Sequence, residues 1–287
     1  MFKPFVPPVK YEEAKEKAID ILAQMTLDEK ISIIAGHNMF FTKGLERFNV
    51  PSMYMSDASQ GVNIRRDLDD QLEKSVAFPC SIALASTWNK DLAATYANAI
   101  GEECRAGEIA VLLGPGINMY RVSQNGRNFE YLGEDPYLIA RMVENYVVGM
   151  QRTGTIATLK HFIANNTDYK RRTSNSVVDE RAMNEIYLPG FEAGINAGAM
   201  AVMTAYNLVN GEYAGQSKNL ITRLLREKLG FKWLVMSDWW SVWDAQKVIE
   251  SGLDLDMPGE PRSEYPDYTK KPEFFVRYAA KSLVEEG

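Results

Sequence analysis

The chain has 287 residues, 46% hydrophobic and 24% charged, the make-up of a globular protein large enough for one α/β barrel or two modest domains. A formal net charge of −6, with no run of five or more Lys/Arg, argues against a nucleic-acid partner. Two cysteines, Cys80 and Cys104, make no disulfide framework, and two histidines make no multi-histidine metal site, so buried free thiols are expected and no metal or cofactor.

The N-terminal segment Met1–Val9 is broken by prolines and lacks the apolar stretch of a secretory signal. No later run is long enough to span a bilayer, so a membrane partner is not expected and a cytoplasmic location is favoured. Tyr11, Ala14, Ala18, Leu22 and Met25 recur at helical spacing. Thr26-Leu-Asp-Glu29 then reads as a capping box opening a second helix that stops at Gly36. This lead-in covers about residues 10–36.

From Pro51 onward, short apolar runs end in polar residues and alternate with amphipathic stretches. The runs are Met53–Met55, Ser81–Ala85, Ile109–Leu113, Ile156–Leu159, Ala201–Thr204, Leu234–Met236 and Leu253–Leu255, with a weaker one near Glu212–Gly215. Helices are predicted over Asn89–Ala106, from Asp135-Pro136 onward, over Asp179–Ala197 and over Ser217–Leu229. This alternation predicts a parallel sheet. A (β/α)₈ TIM-type barrel with an irregular or incomplete strand fits best, as a single domain over residues 1–287. A doubly wound open sheet is the alternative, weakened because no Gly-x-Gly-x-x-Gly follows the first strand. Gly259–Asp267 reads as a loop and about Glu273–Glu286 as a closing helix.

In such a barrel the chemistry collects where strands end. The residues there are Ser56-Asp57, Asn118 to Arg121, Lys160-His161, Tyr206-Asn207, Ser237-Asp238-Trp239-Trp240 and Asp254-Leu-Asp256. Carboxylates with Lys, Arg and His can hold a ring of hydroxyls. Tryptophan faces suit the C–H faces of a sugar.

Several motifs, in order over about residues 20–259, resemble those of glycoside hydrolase family 3. They are Phe78-Pro-Cys-Ser-Ile-Ala-Leu-Ala-Ser-Thr-Trp88, Leu113-Gly-Pro-Gly-Ile-Asn118, Gly126-Arg-Asn-Phe-Glu130-Tyr-Leu-Gly-Glu-Asp135-Pro, Lys160-His-Phe-Ile-Ala-Asn-Asn166, Val235-Met-Ser-Asp238-Trp and Gly252-Leu-Asp-Leu-Asp-Met-Pro258. The resemblance implies a retaining β-glucosidase-like barrel acting on a β-glucoside or related oligosaccharide. Asp238 aligns with the nucleophile, which forms a covalent glycosyl-enzyme. Asp57, Arg127, Lys160 and His161 align with groups that grip the same sugar. Tyr206 aligns with a tyrosine beside the nucleophile, Trp239 is an aromatic wall, and Met203 and Arg121 are further candidates. Neighbouring Arg and Lys charges are expected to keep the Asp238 carboxyl low.

Other readings fit the same residues. Asp238 or Asp57 can cap a turn or helix, Lys160-His161 can be a structural pair, and Arg127 can brace a loop through Glu130 or Glu134. Tyr206 can be packing, and Trp240 and Trp243 read better as core. A sugar-binding barrel without turnover, or a Schiff-base enzyme on Lys160, also remains open.

The sequence departs from the family pattern in two respects. Ser-Asp-Trp-Trp replaces the commoner Ser-Asp-Trp-Gly. The acid/base is unidentified: many members take a glutamate from a sandwich domain after the barrel, which this chain is expected to lack, and another branch uses a His-Asp pair that Ile163-Ala-Asn-Asn166 does not supply. Turnover by this chain alone is therefore expected to be impaired, with a second domain or chain supplying the proton donor.

Overall fold

The computed structural model describes residues 3–57, 59–66, 71, 73–261 and 275–285. Its strands are β1 Gly36–His37, β2 Phe41–Thr42, β3 Met55–Asp57, β4 Val111–Leu113, β5 Ile156–Phe162, β6 Asn175–Ser176, β7 Ala201–Thr204, β8 Leu208–Val209, β9 Glu212–Tyr213 and β10 Leu234–Met236. Five of them make one parallel sheet in the order β10-β7-β5-β4-β3. Among these five, neighbours in space are also successive in sequence, with helices Lys90–Ala106, Pro136–Gln151, Leu188–Asn196 and Asn219–Lys228 between them. This is the winding of a TIM-like barrel; a doubly wound sheet would reverse its strand order partway. The strand residues are almost all buried, as expected where helices cover one face and a core fills the other.

The regular strands do not close on themselves. Single bridges continue from both edges: Met236 to Leu255 and Asp256 to Ala35 in parallel, then β1 to β2 antiparallel, then Phe41 to Tyr54 beside β3. Leu253–Leu255, expected as a strand, contributes only such a bridge. Ser81–Ala85 is not a strand at all but part of the helix Ser81–Ser86; an apolar run this short looks the same in either element. Glu212–Gly215 is no barrel strand. Its first two residues form β9, which pairs back on β8 through an Asn210-Gly211 turn with both φ positive, 51° and 91°.

The helices start where their caps dictate. Thr26 and Glu29 form both halves of the capping box. Asn89 accepts from the amides of Asp91 and Leu92, and Asp135 from those of Tyr137 and Leu138 just ahead of Pro136. Helices Lys90–Ala106 and Pro136–Gln151 meet closely: a Cβ added at Gly149 would lie 2.2 Å from the Ala94 carbonyl oxygen. The final helix, Val276–Glu285, packs its Val276 and Ala280 against Val242, Ala245 and Val248. Most of the expected 259–267 loop, and the expected start of the last helix at 273, lie outside the described residues. Cys104 is buried, Cys80 half-buried, and both are free.

Candidate active site

A cavity of about 770 Å³ opens at the C-terminal ends of the sheet strands, where a barrel gathers side chains from separate strands. It is lined by Asp57, Arg127, Lys160, His161, Met203, Tyr206, Asp238 and Trp239, eight of the nine residues singled out from the sequence. Arg121 stands apart. It is exposed, its guanidinium lies 5.9 Å from the Tyr187 ring, and it does not line the cavity.

Lys160 and His161 are consecutive, so regular strand alternation would send them to opposite faces. The register of β5 against β7 shifts between Leu159 and Phe162, and both side chains reach the cavity. Irregularities of this kind re-aim side chains at functional rims.

The charged groups interlock. Arg127 grips Glu130 through two bonds, Nε to Oε2 at 3.0 Å and Nη2 to Oε1 at 2.9 Å. The Lys160 ammonium lies 3.3 Å from Asp57 and 3.7 Å from Glu130. Arg127 therefore both braces its loop and lines the cavity. Arg127 Nη2 also lies 3.1 Å from His161 Nε2. A guanidinium only donates, so Nε2 accepts and the imidazole proton sits on Nδ1, 3.2 Å from the Asn118 amide oxygen and 3.1 Å from the Tyr131 hydroxyl. Burial, together with the positive charges of Arg127, Lys160 and Arg171, holds the His161 pKa well below its usual value, so the ring is neutral.

Asp238 is 7% exposed. Its Oδ2 lies 3.5 Å from His161 Nε2 and has no hydrogen-bond donor among the described residues. Burial raises its pKa above the usual aspartate value. Arg127, Arg171 and Lys160 oppose the rise without cancelling it, and Asp57 adds to it. The expectation of a low value is thus corrected: loss of hydration outweighs the neighbouring cations. Asp57 goes the other way. Desolvation raises its carboxyl, but Lys160 and Arg127 more than offset that and leave it below the ordinary range, with 51% of the side chain still accessible.

Tyr206 is buried under the guanidinium groups of Arg171 and Arg172, at 4.1 and 4.3 Å from its ring centre. Burial pushes its phenol pKa up, so it stays protonated. Trp239 leans on Phe40 at 5.7 Å. Trp240, expected in the core, also lines the cavity, whereas Trp243 packs against Tyr213 with rings tilted by 32°, away from it. Trp240 has φ 54°, a left-handed conformation that costs a bulky residue about 1–3 kcal/mol and glycine nothing.

Sequence reasoning missed Arg171, Arg172 and Asp168, which sit on the loop after β5 and line the same cavity. Their charge run at 168–172 looks like any solvated loop. Glu130 had been noted only as a brace for Arg127. Together the groups can hold a ring of hydroxyls against a buried carboxylate whose Oδ2 has no hydrogen-bond partner among the described residues.

The family model described as the glycosyl hydrolase family 3 N-terminal domain matches residues 28–268. A beta-glucosidase of Rhizobium radiobacter is 42% identical over 241 residues, covering 84% of this chain and 29% of that protein. Thermostable beta-glucosidase B of Acetivibrio thermocellus is 39% identical over 245 residues, covering 83% and 32%. The structure of beta-glucosidase 3B from Thermotoga neapolitana with alpha-D-glucose superposes with a TM-score of 0.86 at 35% identity, over 94% of this chain and 40% of that one. The chain thus spans about a third of the length of these curated relatives.

Proposed function

Because the chain belongs to glycosyl hydrolase family 3, over its N-terminal domain, we propose that it is the sugar-binding, nucleophile-bearing part of a retaining β-glucosidase. The observation that carries this reading is the buried Asp238 Oδ2, without a hydrogen-bond donor among the described residues, in the same cavity as the Asp57, Lys160 and Arg127 cluster. Relatives named as beta-glucosidases, and a glucose-bound structural neighbour, supply the substrate class.

In this mechanism a carboxylate oxygen of Asp238 forms a bond to the anomeric carbon. The C1–O bond to the leaving group breaks, and its electron pair leaves on that oxygen. Asp57 accepts sugar hydroxyls while Lys160 and Arg127 donate to them, and the fixed carboxylate stabilises positive charge on the ring. Neutral His161 accepts from Arg127 and holds that guanidinium beside the sugar without adding charge. Water then bonds the anomeric carbon as its bond to Asp238 breaks, the electron pair returning to the carboxylate and the water's proton passing to solvent.

The leaving group also needs a proton, and the other carboxyls lining the cavity are committed. Asp57 faces Lys160, Glu130 faces Arg127 and Lys160, and Asp168 pairs with Arg171 at 3.0 Å. The described lining thus offers no free proton donor, which supports one from a further domain or another chain, with turnover by this segment alone confined to substrates with good leaving groups. The shared ammonium of Lys160 has an ion-pair role and gives the Schiff-base reading no support.

The test is exposure to a 2,4-dinitrophenyl 2-deoxy-2-fluoro-β-glucoside, whose leaving group needs no proton. Digestion and mass spectrometry should place one fluoroglucosyl group on Asp238, and none in Asp238→Ala. Glucose binding by calorimetry with no label would instead favour the sugar-binding barrel.

A further inference from the structure

The Oδ2 of Asp238 takes no hydrogen bond from another side chain among the described residues, and His161 Nε2 lies 3.5 Å from it. Its position therefore follows from the main chain that carries it. That main chain makes a tight turn: the Asp238 carbonyl accepts from the Ser241 amide at 3.3 Å and the Ser241 hydroxyl at 3.0 Å. Inside this turn stands Trp240, at φ 54°. A large aromatic residue stays in that region only where its surroundings hold it.

Among the described residues, three hydrogen bonds do so. The Trp240 amide donates to the Met257 carbonyl and its indole N–H to the Glu260 carbonyl, each at 2.9 Å. Both acceptors belong to the segment just after Leu253–Leu255. The third bond comes from a different quarter, the loop after β5. Arg172 Nη1 donates to the Trp240 carbonyl at 2.5 Å, and its Nη2 reaches the Trp239 carbonyl at 3.4 Å. The planar fork thus holds two successive carbonyls, which the single point charge of a lysine would not do. The Tyr206 ring lies 4.3 Å from this guanidinium, and an aromatic face so placed adds to its retention.

We propose that Arg172 is a positioning residue for the nucleophile, fixing the Asp238–Trp240 turn against its own backbone strain and so setting where the Asp238 carboxylate points. The proposal rests on the reading of Asp238 as nucleophile and goes beyond it. It assigns the loop after β5 a part in the nucleophile's geometry, not only in lining the cavity.

The experiment is a double-mutant cycle of Arg172→Ala and Trp240→Gly, read in two ways. The first is labelling of Asp238 by the dinitrophenyl fluoroglucoside, with rate constant and half-saturating concentration measured separately. Arg172→Ala should slow labelling about 100-fold, the scale of an ångström misplacement, with half-saturation changed less than about twofold. Glycine occupies the left-handed turn freely, so adding Trp240→Gly should recover about tenfold of that loss. A purely structural loss would lower the fraction folded, visible by circular dichroism, and would not be rescued. A rise in half-saturation with an unchanged rate constant would make Arg172 a sugar ligand and overturn the proposal.

The second reading is the same cycle in urea unfolding, which needs no chemistry. Arg172→Ala should cost about tenfold less in folding equilibrium when Trp240→Gly is present, and additive effects would overturn the proposal. If the unaltered chain takes no label, the nucleophile reading has failed, and this second cycle decides the clamp by itself. Should Arg172→Ala not fold, Arg172→Gln, which keeps one donor, replaces it in both measurements.

Discussion

Asp256 offers a stability experiment whose size follows from its surroundings. The side chain is 1% exposed. It accepts from the Val276 amide at 3.3 Å and the Ser237 hydroxyl at 3.5 Å. These bonds and the Arg277 charge favour the ionised form, but burial outweighs them and lifts the pKa from an ordinary 3.8 to about 7. Between those values the folded chain keeps a proton that the unfolded chain has released. Stability therefore falls as pH rises from about 4 to about 7 and levels off above. At about 1.4 kcal/mol per pH unit the full penalty approaches about 4 kcal/mol, an upper bound because buried sites relax. Asp256→Asn removes the charge and keeps the shape. Its amide oxygen can accept from Val276, its NH₂ can donate to Ser237 Oγ, and the Ser237 hydroxyl can turn to the Met257 carbonyl at 3.4 Å. Urea unfolding of both proteins at pH 4, 6, 7 and 9 isolates the effect, because the other titrating groups cancel in the difference. The variant should be within about 1 kcal/mol of the parent at pH 4 and more stable by about 2–4 kcal/mol at pH 9. Parallel curves across the whole range would mean that burial does not control this carboxyl.

Four further outcomes are expected. Asp238→Asn should abolish fluoroglucoside labelling yet raise the melting midpoint at neutral pH, because it removes a carboxylate whose folded pKa is raised; scanning fluorimetry against pH should show the gain fading as the solution is acidified below that pKa. The labelling rate of the parent should rise with pH along an acid limb displaced above that of an ordinary aspartate, as stopped-time mass spectrometry would register. Glu130→Gln leaves the buried Arg127 and Lys160 without their shared anion, so a loss of about 3 kcal/mol in urea unfolding and weaker glucose binding by calorimetry are expected. Gly149→Ala would press a methyl group onto the Ala94 carbonyl, where two helix backbones must move apart, destabilising the fold by about 3 kcal/mol in the same assay.

The parts of the fold that could be read from the sequence were those with local signals. Asn89, Asp135 and the Thr26–Glu29 pair announce helix starts through their own side chains, and the structure realises each cap. The sheet runs at 111–113, 156–159, 201–204 and 234–236 were legible because buried parallel strands need continuous apolar residues. Ser81–Ala85 has the same apolar character but no cap or length to tell helix from strand. At 212–215 the preceding Asn210-Gly211 was the overlooked sign of a hairpin. The cavity lining was legible wherever a strand end delivered it, as for Asp57, Lys160 and Asp238. Arg171 and Arg172 arrive from a loop, and nothing local reveals where a loop returns. The pKa of Asp238 was misjudged because charges can be counted along a chain while burial cannot. The glycine expected after Ser-Asp-Trp marked a left-handed turn, and Trp240 occupies that turn all the same.

The ring of strands is fastened unequally. From β3 to β10 each strand is zipped to the next along a ladder, but between Leu255 and Tyr54 the join passes through single bridges at Asp256–Ala35 and Phe41–Tyr54, with only the two-residue β1–β2 hairpin between. Arg277 in the last helix lies over this clasp, donating to the Gly36 carbonyl and to Glu260. The barrel has in effect a hinge-side and a latch-side. Thermal breathing begins at the latch, so the Gly36 and Asp256 amides should trade deuterium well before those of Val202 and Leu159, and only after the terminal helix has lifted away.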